Sequence, residues 1–146
     1  MSIALLIIDV QKKYVEMPEF QASFTEAKEY INAVSTYFRN ANLPVIHIQH
    51  NTNDENTNNL DFEVSDQIIQ KDTDNYIIKT YSSAFWKTNL EKLLKEKDVD
   101  FIVCSGLAAS KCVHATYLAA IERDFKVVML QNGIIDRTKE LEKWIH

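Results

Sequence analysis

The sequence predicts a three-layer α/β/α domain built on a mostly parallel sheet. Short apolar runs alternate with amphipathic stretches along all 146 residues. The first run, Ile3–Asp9, is apolar almost throughout. That is the pattern of a strand buried on both faces, as in a parallel sheet. The connections between most successive runs are long enough for crossovers, which favours parallel pairing.

Each element has its own local reason. Residues 24–40 place Ala27, Tyr30, Ile31, Val34, Tyr37 and Phe38 at helical spacing. Pro44–Gln49 reads as a second strand, and Asn75–Lys79 as a third. Between them, Asn51–Asn59 carries five asparagines and no large apolar residue, the composition of a loop. Residues 62–70 are ambiguous, with a short helix from Ser65 as one reading. Thr88 is expected to N-cap a helix through about Lys97, with Glu91 at the capping-box position. Asp100–Ser105 is a fourth strand, Ser110–Arg123 a helix with Val113, Tyr117, Ala120 and Ile121 in register, and Phe125–Leu130 a fifth strand. A final helix is expected from Thr138, and Gly133 and Asp136 read as a turn and cap without chemistry. No linker or internal repeat divides the chain, so residues 1–146 are expected to form one domain.

Composition narrows the function. Charged residues are 25% and hydrophobic residues 46%, which argues against disordered and fibrous classes. Sixteen basic against 21 acidic residues leave a net charge of −5, which argues against a nucleic-acid footprint. No apolar run reaches the ~20 residues of a membrane span. Gly106 and Gly133 are the only glycines, so no glycine-rich phosphate loop can be written. Two cysteines are too few for a disulfide framework, and no basic leader precedes the first strand. A cytoplasmic location is expected.

In open parallel sheets, ligands bind beyond the carboxyl ends of the strands. Asp9 ends the first strand, Lys79 the third and Gly106 the fourth, and Cys112 begins the following helix. An acid, a cation and a thiol thus reach one edge. A helix N-terminus and a nearby lysine both lower a thiol pKa, so Cys112 is expected to be an activated nucleophile. Asp9 is placed to take its proton and return it to a leaving group.

Three blocks of residues resemble one family. IIDVQKKY, with Asp9, Gln11 and Tyr14, resembles the opening D-x-Q-x-x-aromatic motif of the isochorismatase-like cysteine hydrolases. Lys79, Ser83, Ala84, Phe85, Thr88 and Leu90 match that family's K-x-x-x-S-A-F-x-x-T-x-L block. Gly106, Cys112, Val113, Thr116 and Ala120 match its third block. The resemblance implies a sheet of order 3-2-1-4-5 and an Asp9–Lys79–Cys112 triad. It implies an oxyanion hole from the Ala108 and Cys112 N–H groups, with a cis peptide between Leu107 and Ala108. It further implies a small-molecule substrate, no cofactor, and a homo-oligomer. Gln11, Tyr14, Phe85, Trp86 and Leu107 are the residues expected around the substrate. Lys79 starts two strands from Asp9 in that order and must reach across the edge.

Departures from the family sharpen the reading. The family usually has a sixth strand, so the sheet is expected to have five strands, or six with one supplied by a neighbouring copy. The nicotinamidase branch adds a metal site after the second strand. Here that stretch is HIQHNTND, and His47 and His50, three apart, would point to opposite faces of a strand. No metal is therefore expected with Asp54. His114, two residues after Cys112, points elsewhere on a helix. Isochorismatase chemistry proper cleaves a vinyl ether without obvious need of a thiol, so Cys112 favours amide hydrolysis. Two other readings stand beside it: a non-catalytic binding module, and a redox sensor pairing Cys112 with Cys104.

Overall fold

The computed structural model of the protein describes residues 2–51 and 60–137. Most of the asparagine-rich loop, Asp54 within it, and the helix expected from Thr138 lie outside the described residues. Five strands form one sheet: β1 (Ser2–Ile8), β2 (Val45–His50), β3 (Asn75–Lys79), β4 (Val99–Leu107) and β5 (Lys126–Ile135). Their order is β3-β2-β1-β4-β5, and every pairing is parallel. The helices are α1 (Lys12–Val15), α2 (Pro18–Asn40), α3 (Leu90–Glu96) and α4 (Cys112–Glu122), with a 3₁₀ turn at Leu60–Phe62.

Side chains alternate across β1, so one continuous apolar run feeds two cores. Ala4, Leu6 and Ile8 join Ile46, Ile48, Ile102 and Cys104 under α3 and α4. Leu5 and Ile7 join Val45 and Val103 under Phe20, Phe24, Ala27 and Ile31 of α2. Together these make the three layers. No described helix is long and apolar enough to cross a membrane.

Several boundaries differ from the sequence reading. Helix α2 begins at Pro18, not Phe24, because proline suits the first helical position and carries Phe20 onto the buried face. Helix α1 is a single turn, too short to show a period. No helix starts at Ser65; Val64 instead makes an antiparallel bridge to Gln11. Helix α3 starts at Leu90 after Asn89, one residue later than a Thr88 cap would place it. The Thr88 hydroxyl still accepts the Leu90 N–H at 3.2 Å while donating to Ala84 O at 2.6 Å. Glu91 closes no capping box, since Lys95 and Arg123 hold its carboxylate at 2.8 and 3.2 Å. Strand β5 continues to Ile135, and Gly133 lies within it. The register shifts there: β5 runs from Met129 to Ile134 while β4 runs only from Cys104 to Gly106, an irregularity that hides the strand from pattern reading.

Gly106 brings β4 close to β1. Its φ is +109°, and a Cβ there would lie 2.1 Å from Ile8 O. Only glycine fits this contact, one residue before Asp9.

Candidate active site

Three strand ends and one helix start meet at the carboxyl edge of the sheet. Asp9 follows β1 with φ +56°, a left-handed conformation that aspartate tolerates better than most residues. This turn interrupts the β1 alternation, so parity along the strand does not fix where the carboxylate points. Lys79 closes β3 with its side chain fully buried, and Cys112 opens α4 half-buried.

The Lys79 side chain spans β2, whose His50 is its register partner, and ends among four groups. Its Nζ lies 3.2 Å from Asp9 Oδ2, 2.9 Å from His50 Nδ1, 3.0 Å from Tyr81 O and 3.4 Å from Cys112 Sγ. The reach across the edge, which the strand order made demanding, is therefore completed. The second Asp9 oxygen, Oδ1, is buried with no hydrogen-bond partner.

His50 is the residue that sequence reasoning missed. A signal was present: it is the last residue of β2, and the strand-end rule that selected Asp9 and Lys79 selects it equally. The sequence reading considers it only as a metal ligand beside His47. The two histidines do face opposite ways. His47 is buried on the α2 side, bonded to Asp74 at 2.8 Å and stacked on Tyr76.

An Asp9 oxygen, a His50 ring nitrogen and Cys112 Sγ lie within 4.8 Å of one another, a spacing that suits a cation. The Lys79 ammonium stands among all three. A protein cation thus already supplies the positive charge there.

Electrostatics correct one expectation. Burial, and then the neighbouring Asp9 charge, push the Cys112 thiol up to about 11 against the pull of Lys79. A helix terminus and one lysine do not offset desolvation plus an adjacent carboxylate. The resting group is a neutral thiol, not a preformed thiolate. Asp9 is also raised by burial, with Lys79 drawing it part of the way back. Burial pushes Cys104 up to about 12, which leaves it a core thiol with little redox reactivity.

The surrounding loops are braced through named contacts. Ala84 N–H donates to Thr116 Oγ1 at 3.0 Å, tying the segment after Lys79 to α4. Asp136, read only as a cap, is buried and accepts both the N–H and the hydroxyl of Ser110, at 3.0 and 2.9 Å. It thereby fixes the turn that delivers Cys112. The Leu107–Ala108 peptide bond in that turn is cis.

The expected substrate-pocket residues disperse. Gln11 is fully buried, and its amide is occupied by backbone: Nε2 donates to His50 O and Phe62 O, and Oε1 accepts the His50 N–H. It braces the end of β2 and does not present a free amide to a substrate. The Phe85 ring is buried, stacked on Phe125 and under Arg123, the residue that ends α4. It is a core residue, placed there by the Ala84–Thr116 bond beside it. Trp86 is half exposed, with the Lys87 ammonium near its ring. Tyr14 and Leu107 pack on the α2-side core.

Comparison with known proteins places this arrangement. The chain is 28% identical over 152 aligned residues to the uncharacterized isochorismatase family protein YddQ of Bacillus subtilis, covering 97% of this chain and 82% of that one. It is 32% identical over 82 residues to the N-carbamoylsarcosine amidase of Arthrobacter sp, covering 56% of this chain and 31% of that one. The crystal structure of N-carbamoylsarcosine amidase from Thermoplasma acidophilum has the same fold, with a TM-score of 0.84 at 22% identity over 99% of this chain and 92% of that one. The Isochorismatase domain model matches residues 3–145, and the chain belongs to the isochorismatase family of hydrolases.

Proposed function

We propose that this hydrolase cleaves the C–N bond of a small amide or carboxamide, with Asp9, Lys79 and Cys112 as its triad. One observation carries the reading: a buried Lys79 ammonium stands 3.2 Å from Asp9 Oδ2 and 3.4 Å from Cys112 Sγ, joining residues that lie 70 and 33 positions away from it in the chain. The amidase relatives support the choice of bond.

In this reading the Cys112 proton passes to Asp9 as Sγ attacks the carbonyl carbon. The new S–C bond moves the carbonyl electron pair onto oxygen. The N–H groups of Ala108 and Cys112 receive that charge, the second because the first amides of a helix lack intrahelical partners. Such a donor is worth about 2.7–4 kcal/mol in related chemistry. The C–N bond then breaks, and the amine leaves with the proton that Asp9 held. Water adds to the thioester, Asp9 takes a proton from it, and Cys112 is released and reprotonated. No step calls for a metal or cofactor. Tyr14, Trp86 and Leu107 remain the candidates for contact with the substrate. The reading keeps residues 1–146 as one domain in a cytoplasmic homo-oligomer, and half-exposed Leu118 and Ile121 on α4 offer apolar surface for association.

The test is ammonia or amine release from a panel of small amides, carboxamides and ureides, with a vinyl ether as control. Wild type should turn over at least one amide, and Cys112→Ala should lose that turnover while keeping its fold. A Cys112→Ala protein that retains wild-type turnover refutes the proposal. Inertness of the wild type toward the whole panel favours a binding module.

A further inference from the structure

Lys79 has three protons to donate and no lone pair to accept with when charged. Three acceptors lie within hydrogen-bond range of its Nζ: Asp9 Oδ2 at 3.2 Å, Tyr81 O at 3.0 Å and His50 Nδ1 at 2.9 Å. The contact with Cys112 Sγ, at 3.4 Å, is the longest of the four. His50 therefore makes the shortest of these contacts, and its position is itself constrained. Gln11 grips its backbone on both sides, accepting the His50 N–H at 2.8 Å and donating to His50 O at 3.1 Å. Nothing in the proposed chemistry requires His50 to touch a substrate.

We infer that His50 is a positioning residue: its neutral imidazole accepts from Lys79 through Nδ1 and holds the ammonium between Asp9 and Cys112, and protonation of His50 disarms the site. An imidazolium has no acceptor at Nδ1 and would set a second positive charge 2.9 Å from the ammonium. One of the two must then move away. The charged and titratable groups facing His50 include Lys79 from β3, Asp9 from β1 and Cys112 from α4. Loss of Lys79 from its place leaves the thiol beside Asp9 without the cation that eases its ionisation. The consequence for turnover rests on the cysteine-hydrolase reading; the consequence for thiol reactivity does not.

The experiment uses the full chain and iodoacetamide as probe, with Cys112 and Cys104 followed separately by peptide mass. Alkylation of Cys112 is measured from about pH 5 to 9, across the ordinary histidine range, in wild type, His50→Gln, His50→Asn and His50→Ala. Glutamine and asparagine carry an amide acceptor that does not titrate. The acid limb of the wild type should be steeper than that of His50→Gln by about one proton per pH unit. His50→Ala should lose ~tenfold in Cys112 alkylation at neutral pH, a shift of about one pKa unit, and one of the amide variants should recover most of it. A purely structural role would not alter the slope. A second readout needs no variant: the ring nitrogen shifts of His50 in wild type should show an unprotonated Nδ1 and a protonated Nε2 at neutral pH. Superimposable acid limbs, or a protonated Nδ1, would overturn the inference. If the amide panel goes unhydrolysed while both His50 signatures are present, the hydrolase proposal fails and this one stands.

Discussion

Lys79→Met isolates the charge balance of the site. Methionine keeps most of the side-chain volume and removes the ammonium. The variant leaves Asp9, 2% exposed, without its cation, and only the Cys112 thiol remains as a weak hydrogen-bond partner. Breaking a buried ion pair from one side costs about 3–5 kcal/mol. Asp9 can avoid that cost only by binding a proton. Burial already raises its pKa, and the largest opposing influence is the Lys79 charge. In the variant the native pKa rises further above the unfolded value. A carboxyl with a raised native pKa contributes stability that is fully present below the unfolded pKa and lost as pH rises through the native one. Between those limits the native state holds the extra proton, so the variant loses about 1.4 kcal/mol per pH unit. Asp9 is already raised in wild type, so the two proteins lose stability in parallel until wild-type Asp9 ionises; above that pH the gap should widen, reaching about 3–5 kcal/mol once the variant's Asp9 is also forced to ionise. Urea denaturation at a series of pH values measures it directly. A gap that stays constant across the series would refute the account, because it would assign the loss to packing and not to a stranded carboxylate.

Two further outcomes follow from single contacts. Gly106→Ala places a Cβ 2.1 Å from Ile8 O at a φ of +109°, and should cost roughly 2–5 kcal/mol from strain and overpacking together; an alanine variant as stable as wild type in urea would show that β4 can move off β1 freely. On the other side of the sheet, Asp74 is bound by Arg39 at 2.9 and 2.7 Å and by His47 at 2.8 Å. Burial pushes its carboxyl up, but Arg39 and His47 hold it below the usual range. Its stabilisation is therefore present above the unfolded pKa and lost as pH falls through the native one. Asp74→Asn should be about 3 kcal/mol less stable at neutral pH, with the difference shrinking in acid, and a difference that grows in acid would contradict the assignment.

The fold was legible because β1 carries two cores on one continuous apolar run. A strand buried on both faces is rarely anything but the centre of a parallel sheet. Local chemistry gave the strands within a few residues, yet it lost β5 beyond Leu130, where the register shift and Gly133 imitate a turn. Part of the site was legible too, since the strand-end rule points to Asp9, Lys79 and Cys112 without any knowledge of contacts. What periodicity could not carry was which polar side chains would spend their bonding capacity on the backbone. Gln11 and Phe85 sit inside the same motifs as Asp9 and Lys79. One is consumed in bracing β2, and the other is buried in the core against Phe125. Sequence spacing marks both kinds of residue alike. His50 shows the converse: a residue outside every motif, brought into the site by nothing more than β2 lying between β1 and β3.

The raised thiol pKa is consistent with a nucleophilic Cys112 once the site is treated as one titrating unit. A neutral thiol beside the Asp9 carboxylate and the Lys79 ammonium carries no net charge. Moving the thiol proton to Asp9 gives a thiolate, a neutral acid and the same ammonium, again without net charge. Ionising Cys112 by loss of a proton to solvent would instead leave two anions against one cation in a nearly closed site, and it is this step that burial and Asp9 oppose. The internal transfer avoids that cost because the buried charge is relocated and not increased. Raised values at both Cys112 and Asp9 follow from the same enclosure. In the proposed amide hydrolysis they would favour a thiol that stays protonated until a carbonyl arrives and an acid that, having taken the proton, keeps it long enough to give it to a leaving amine. In the proposed mechanism Lys79 serves both states only while it remains between the two anionic positions, the place the inferred role of His50 would keep it in.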